Sequence, residues 1–181
     1  MAIKTFTTGE VLTASDTNTY LANSGLVYVT STTVGTGVSS VTVSNCFSST
    51  YDSYKIVYTG GTQSADSNIK MRLGSTTTGY YGAYIYAFYS GAGPNVAGDN
   101  NATEWTFAGG GASNSALVHV DIHNPFTAYR TRMTAHNVLY STITGTYTAV
   151  LADSTSYTAF TIIPNGTLTG GTVTVYGYRK A

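Results

Sequence analysis

The sequence predicts an all-β protein: a two-sheet antiparallel sandwich with one short helix at its N-terminus. Three observations predict it. From residue 26 onward apolar and polar residues alternate with period two, the repeat of a half-buried strand. Thr is the commonest residue, and 16 Tyr and 20 Gly occur in 181 positions. Thr and Tyr suit a pleated surface, and Gly supplies the turns. Finally, no segment after residue 25 carries the apolar repeat of a crossover helix, which removes parallel α/β architectures.

The helix comes first. Residues 9–25, GEVLTASDTNTYLANSG, are the one stretch with a helical pattern. Thr13 followed by Asp16 resembles a capping box, residues 14–22 give two to three turns, and Gly25 is the stop. Thr17, Asn18 and Thr19 are poor helix formers, and so short a helix is marginal in water alone. Val11, Leu12, Tyr20 and Leu21 must therefore bury against something. This makes 1–25 an attachment or oligomerisation segment and 26–181 the β domain.

Strands are expected at 26–31, 39–47, 53–60, 68–74, 81–90, 103–107, 116–124, 129–139, 145–153, 157–164 and 171–180, separated by Gly-, Ser- and Asn-rich turns. The stretch 89–105 holds the longest loop, and Gly109–Gly111 reads as turn. Val118, Val120 and Ile122 share one face of their strand, while His119, Asp121 and His123 share the other. Tyr129, Thr131, Met133 and Ala135 likewise oppose Arg130, Arg132, Thr134 and His136. One apolar and one polar face per strand is the pattern of a sandwich. YYGAYIYAFY is apolar on both faces, Tyr84, Tyr86 and Phe88 against Tyr81, Ala83, Ile85 and Ala87. That strand is central or lies at a subunit contact.

Only 9% of residues are charged, with 8 Lys and Arg against 8 Asp and Glu, where about 25% is ordinary. No basic cluster exists to neutralise phosphates, so nucleic acid is not the expected partner. Residues 73–98 carry no charge, but Gly and polar residues interrupt them too often for a membrane span. No signal-peptide pattern is visible, and the expectation is synthesis in a cytoplasm without export. So little charge also weakens the usual barrier to self-association, as in an obligate oligomer or a large assembly. The single Cys46 excludes a disulfide framework and reads as a small buried hydrophobe.

The sharpest chemical constellation is His119-x-Asp121-x-His123, whose alternate side chains lie about 7 Å apart along one strand face. With a further ligand such a set binds zinc; the outward polar face of a strand explains the same spacing. In GDNNATE (98–104), Asp99, Asn101 and Glu104 lack the ligand spacing of a calcium loop. The Gly109–Gly111 run has no phosphate-loop context, and no nucleophile elbow is present. Asp52, Asp66, Asp99, Glu104, Asp121 and Asp153 are scattered singly, without the facing pair that glycoside hydrolysis needs. The expectation is therefore a protein that is not an enzyme and carries no cofactor. Tyr84, Tyr86, Tyr89 and Trp105 cluster near the longest loop, and their amphipathic rings make them candidates for a receptor or subunit contact.

FTTGEVLTASDTNTYL (6–21) resembles a segment common near the start of tailed-bacteriophage tail-fibre and other virion appendage proteins, an aromatic followed by G-E-x-L-T-A-x-D-x-N. FSSTYDSYKIVYTG (47–60) and GGTVTVYGYRK (170–180) are similar to stretches of β-sandwich domains in such proteins. The resemblance implies a jelly-roll-like sandwich, usually homotrimeric, in the virion, with residues 1–25 contacting other virion proteins. It implies host-surface recognition, of a cell-surface glycan or protein, and no catalysis. A capsid decoration or head-spike protein is the alternative, and a glycan-degrading enzyme with two carboxylates in one cleft is the third reading.

Overall fold

The computed structural model describes residues 6–17, 25–91, 93–139 and 142–180. A three-residue helix, α1 (Ala14–Asp16), is followed by strands β1 (Leu26–Thr33), β2 (Val41–Val43), β3 (Ser53–Gln63), β4 (Ser67–Leu73), β5 (Tyr80–Phe88), β6 (Asn95–Ala102) and β7 (Trp105–Ala112). Six more complete the chain: β8 (Ser115–His123), β9 (Thr131–Leu139), β10 (Ile143–Leu151), β11 (Phe160–Pro164), β12 (Leu168–Thr169) and β13 (Thr172–Tyr178). The fold is the expected all-β antiparallel sandwich with a short N-terminal helix.

The larger layer runs β6-β5-β10-β9-β8-β3-β13-β1, and the smaller runs β2-β11-β4-β7. Both draw on β8: its first half pairs with β7 and its second half with β9. The corner between layers is the glycine run. Gly109–Gly111 lie between β4 and β8, paired to both. A Cβ on Gly111 would sit 2.8 Å from Gln63 Cβ, and one on Gly109 would sit 2.7 Å from the Val118 side chain. Glycine is here because two backbones approach too closely for a side chain, so these residues are strand and not the turn expected from sequence.

The interior follows from the alternation. Tyr54, Ile56 and Tyr58 of β3, Val118, Val120 and Ile122 of β8, and Val173 and Val175 of β13 face Val41, Ile69, Met71, Phe160 and Ile162 of the smaller layer; all are buried. Rings bridge the layers. Phe47 meets Tyr54 edge-on at 4.8 Å, and Trp105 meets Tyr80 at 5.2 Å. The tyrosine hydroxyls find backbone: Tyr80 accepts from Leu73 N at 2.9 Å and Tyr54 donates to Ser48 O at 2.9 Å. This is how a phenol is buried without stranding its polar tip.

Tyrosine and glycine abundance have one common cause in several places. The Tyr84 ring lies across β10 so that a Cβ on Gly145 would be 2.6 Å from its Cε2. Tyr147 covers Gly82 and Tyr51 covers Gly177 in the same way. A large flat ring fills the space that its cross-strand glycine leaves empty, so the two compositions are coupled.

Three local expectations change. The stretch read as a loop after residue 90 contains β6, an edge strand whose Val96 is 79% exposed, so it buries too little to alternate. β2 is shorter than 39–47 because Asn45 turns into the left-handed region at φ 53°; Cys46 N then bonds Thr158 O at 2.9 Å. The strand YYGAYIYAFY is next to the edge of its layer, not central: β5 packs Tyr80 and Tyr84 inward and leaves Ile85, which pairs with Val96, 59% exposed.

Candidate functional site

The N-terminal segment carries the first candidate residues. Thr13 caps α1 as expected: its hydroxyl accepts from Asp16 N at 3.0 Å, and Asp16 Oδ2 accepts from Thr13 N at 3.2 Å. An upstream turn shows half of the same pattern: Glu10 Oε2 accepts from Thr7 N at 3.2 Å, while Glu10 N bonds the Thr7 backbone carbonyl. On this locally ordered scaffold Val11 is 78% and Leu12 49% exposed. Among the described residues nothing covers them. Tyr20 and Leu21, with the rest of the expected helix, lie outside the described residues.

The aromatic cluster divides. Trp105 is fully buried against Tyr80 and donates from Nε1 to Val150 O at 3.4 Å. It cannot touch a partner, because β7 turns it into the core; this corrects its placing among surface contacts. Tyr84 is also core, at 2% exposure, stacked on Phe107 at 4.6 Å and on Tyr86 at 5.0 Å. The remaining members are different. Tyr86 is half-buried and meets Phe88 edge-on at 5.8 Å, and Phe88 and Tyr89 are exposed. Phe107, Tyr84, Tyr86 and Phe88 thus form a ladder from the interior to the surface along β5. Burial raises the Tyr84 phenol above its ordinary 10, and the Tyr86 and Tyr89 hydroxyls add to it, so the three phenols gather in one place. The Tyr84 hydroxyl and Asn137 Oδ1, which flank Gly145, are buried with no hydrogen-bond partner among the described residues.

The third candidate, His119-Asp121-His123, does face outward as its spacing requires. Each member has its own engagement. Asp121 takes both of its oxygens to Lys55 Nζ at 3.3 Å and accepts from the Tyr178 hydroxyl; burial and that carboxylate push the Tyr178 phenol up to about 12. His123 Nδ1 shares a hydrogen bond with Ser53 Oγ at 2.8 Å. His119 instead faces His136 of the neighbouring strand, ring centroids 5.8 Å apart. Burial, then Lys55, lower the His119 pKa from 6.5; Asp121 opposes this and His136 adds to it. Among the described residues no group of three or more His, Cys, Asp or Glu is placed to hold a metal ion. Sequence reasoning missed His136, because it reaches His119 only through the register of β8 with β9.

The carboxylates are dispersed. Asp52 pairs with Lys180 at 2.7 Å, Asp99 accepts from Thr106 N at 2.8 Å and from the Tyr147 hydroxyl, and Asp153 accepts from Tyr157 at 2.5 Å. Glu104 sits between Arg72 at 2.7 Å and Lys70 at 3.2 Å. Burial opposes its ionisation, but hydrogen bonds from Arg72, Thr103 and Lys70 outweigh burial and hold its pKa at about 2. Asp66 is exposed on the turn after β3. Cys46 is buried, and burial pushes its thiol up to about 12, which leaves it a core residue without nucleophilic character.

The chain matches no protein-family model and no curated protein sequence. No helix among the described residues is long and apolar enough to cross a membrane.

Proposed function

We propose that this chain is a structural protein of a bacteriophage virion: a homotrimeric tail-fibre or tail-tip appendage that takes part in host-surface recognition. In this reading residues 1–25 join it to other virion proteins and to its own copies, and the sandwich is what is presented. The observation that carries it is the exposed pair Val11 and Leu12 between a hydrogen-bonded turn and a capped helical turn, within the stretch that resembles the start of such proteins. Apolar side chains on an ordered but uncovered segment are what a docking peptide needs. The ladder that surfaces at Phe88 and Tyr89 adds support, since exposed amphipathic rings suit a glycan or a protein surface. The reading is non-catalytic: Asp52, Asp99, Glu104, Asp121 and Asp153 each serve a separate partner.

The test incubates fluorescently labelled full chain with a panel of bacterial strains, before and after periodate oxidation of their surface glycans, and measures its mass by light scattering. A trimer that binds a subset of strains is the expected result; loss of binding after oxidation assigns the target to glycan, and retention assigns it to protein. A monomer that binds none of the strains overturns the proposal.

A further inference from the structure

We infer that His119 and His136 form a two-imidazole site for a divalent transition-metal ion of the zinc type, on the outer face of the larger layer. The pairing of Val120 with Ala135 sets position 119 of β8 beside position 136 of β9. Both side chains leave the sheet on the outward face, because Val118, Val120 and Ala135 point into the core. Their rings stand with centroids 5.8 Å apart and planes 34° from parallel. Two imidazoles on one tetrahedral zinc, each at about 2.0–2.1 Å, have ring centroids roughly 5 Å apart. Rotation about the side-chain bonds is what turns a nitrogen of each ring toward a shared ion.

The two rings are also available. Among the described residues neither imidazole has a hydrogen-bond partner, whereas His123 is held by Ser53. His136 is exposed and His119 half-buried, so an ion reaches them from solvent. Lys55, the cation that acts on His119, is held by both oxygens of Asp121, which offsets part of its repulsion for a metal ion. Thr134 and Thr146 flank the pair on the same face, and neither brings charge. The chain supplies two ligands, and water or a second molecule fills the other positions. Neutral imidazole is the binding form, so affinity rises with pH through the histidine range.

The test titrates zinc into the full chain at neutral pH and follows the three histidine ring resonances by NMR, with the melting temperature alongside. The expected result is that His119 and His136 shift together while His123 stays in place, and that bound zinc raises the melting temperature. His136→Gln weakens zinc binding by about tenfold or more through loss of the chelate, and His123→Gln leaves it unchanged. Both positions lie on the outer sheet face, so neither substitution disturbs the core. Three results overturn the site: no histidine shift at roughly a hundredfold excess of zinc over the chain, a joint shift of His119 and His123 without His136, or an affinity that His136→Gln does not alter.

Discussion

The sandwich interior and the N-terminal segment use apolar side chains in opposite ways. Inside, nearly every large ring has a prepared place: Tyr84 over Gly145, Tyr147 over Gly82, Trp105 against Tyr80. In residues 6–17 the backbone is held by one turn and one helix cap, yet Val11 and Leu12 are exposed. The first region is packed within one chain; the second carries local order and no cover among the described residues. Local hydrogen bonds can fix a backbone without any core, while apolar contact needs a second surface. The tyrosine ladder along β5 joins the two behaviours, buried at Tyr84 and open at Phe88 and Tyr89.

The largest effects belong to the interior. Trp105→Ala removes a fully buried ring and lowers stability by about 3–5 kcal/mol, read from the denaturation midpoint. A change near zero would return Trp105 to the surface. Gly145→Ala pushes a methyl against Ile85 O, the Tyr84 ring and Tyr86 Cβ and costs about 1–3 kcal/mol through overpacking. Tyr84→Ala in the same background relieves only the ring contact and leaves those with Ile85 O and Tyr86 Cβ, so the double variant loses slightly less than the sum of the two singles.

An electrostatic effect of similar size depends on pH. The Glu104 carboxyl lies at about 2 in the folded chain against an ordinary 4.5, so folding favours its ionised form. The stability this contributes is fully present above pH 4.5 and is lost as pH falls through 2, about 3 kcal/mol over the window. Acid unfolding followed by circular dichroism should show that loss, and Glu104→Gln should flatten it. An unchanged acid profile in the variant would mean that Lys70 and Arg72 do not hold the carboxylate in solution.

The smallest effects on stability belong to the open surfaces. Tyr89→Ala changes stability by no more than about 0.5 kcal/mol while reducing binding to strains that the parent chain recognises. A loss of both would place Tyr89 in the core with Tyr84.

Much of the sandwich was legible in the sequence, because β3, β8, β9 and β13 each bury one face and therefore alternate. The capping box of α1 was legible for a similar reason: Thr13 and Asp16 interact within one turn. What was hidden depends on partners distant in the chain. β6 has one neighbouring strand and shows solvent most of its side chains, so nothing in Asn95–Ala102 alternates. The glycines of β7 look like turn residues, and only the approach of Leu117, Val118 and Gln63 explains them as a corner. Trp105 follows directly after β6, whose sequence has the composition of a loop, so a core ring looks like a loop-side ring. The His119–His136 pair required the register of β8 and β9, which periodicity within one strand does not contain.

The contrast between a complete sandwich and an uncovered segment is tested most directly by the double substitution Val11→Ser and Leu12→Ser in the full chain, with mass by light scattering and melting temperature measured together. The account predicts a trimer for the parent, a smaller species for the variant, and the same melting temperature for the isolated sandwich fold under dilute conditions where both are monomeric. A variant that keeps the parent's mass, or one that unfolds at lower temperature as a monomer, would contradict it, because Val11 and Leu12 would then be either idle or part of the core.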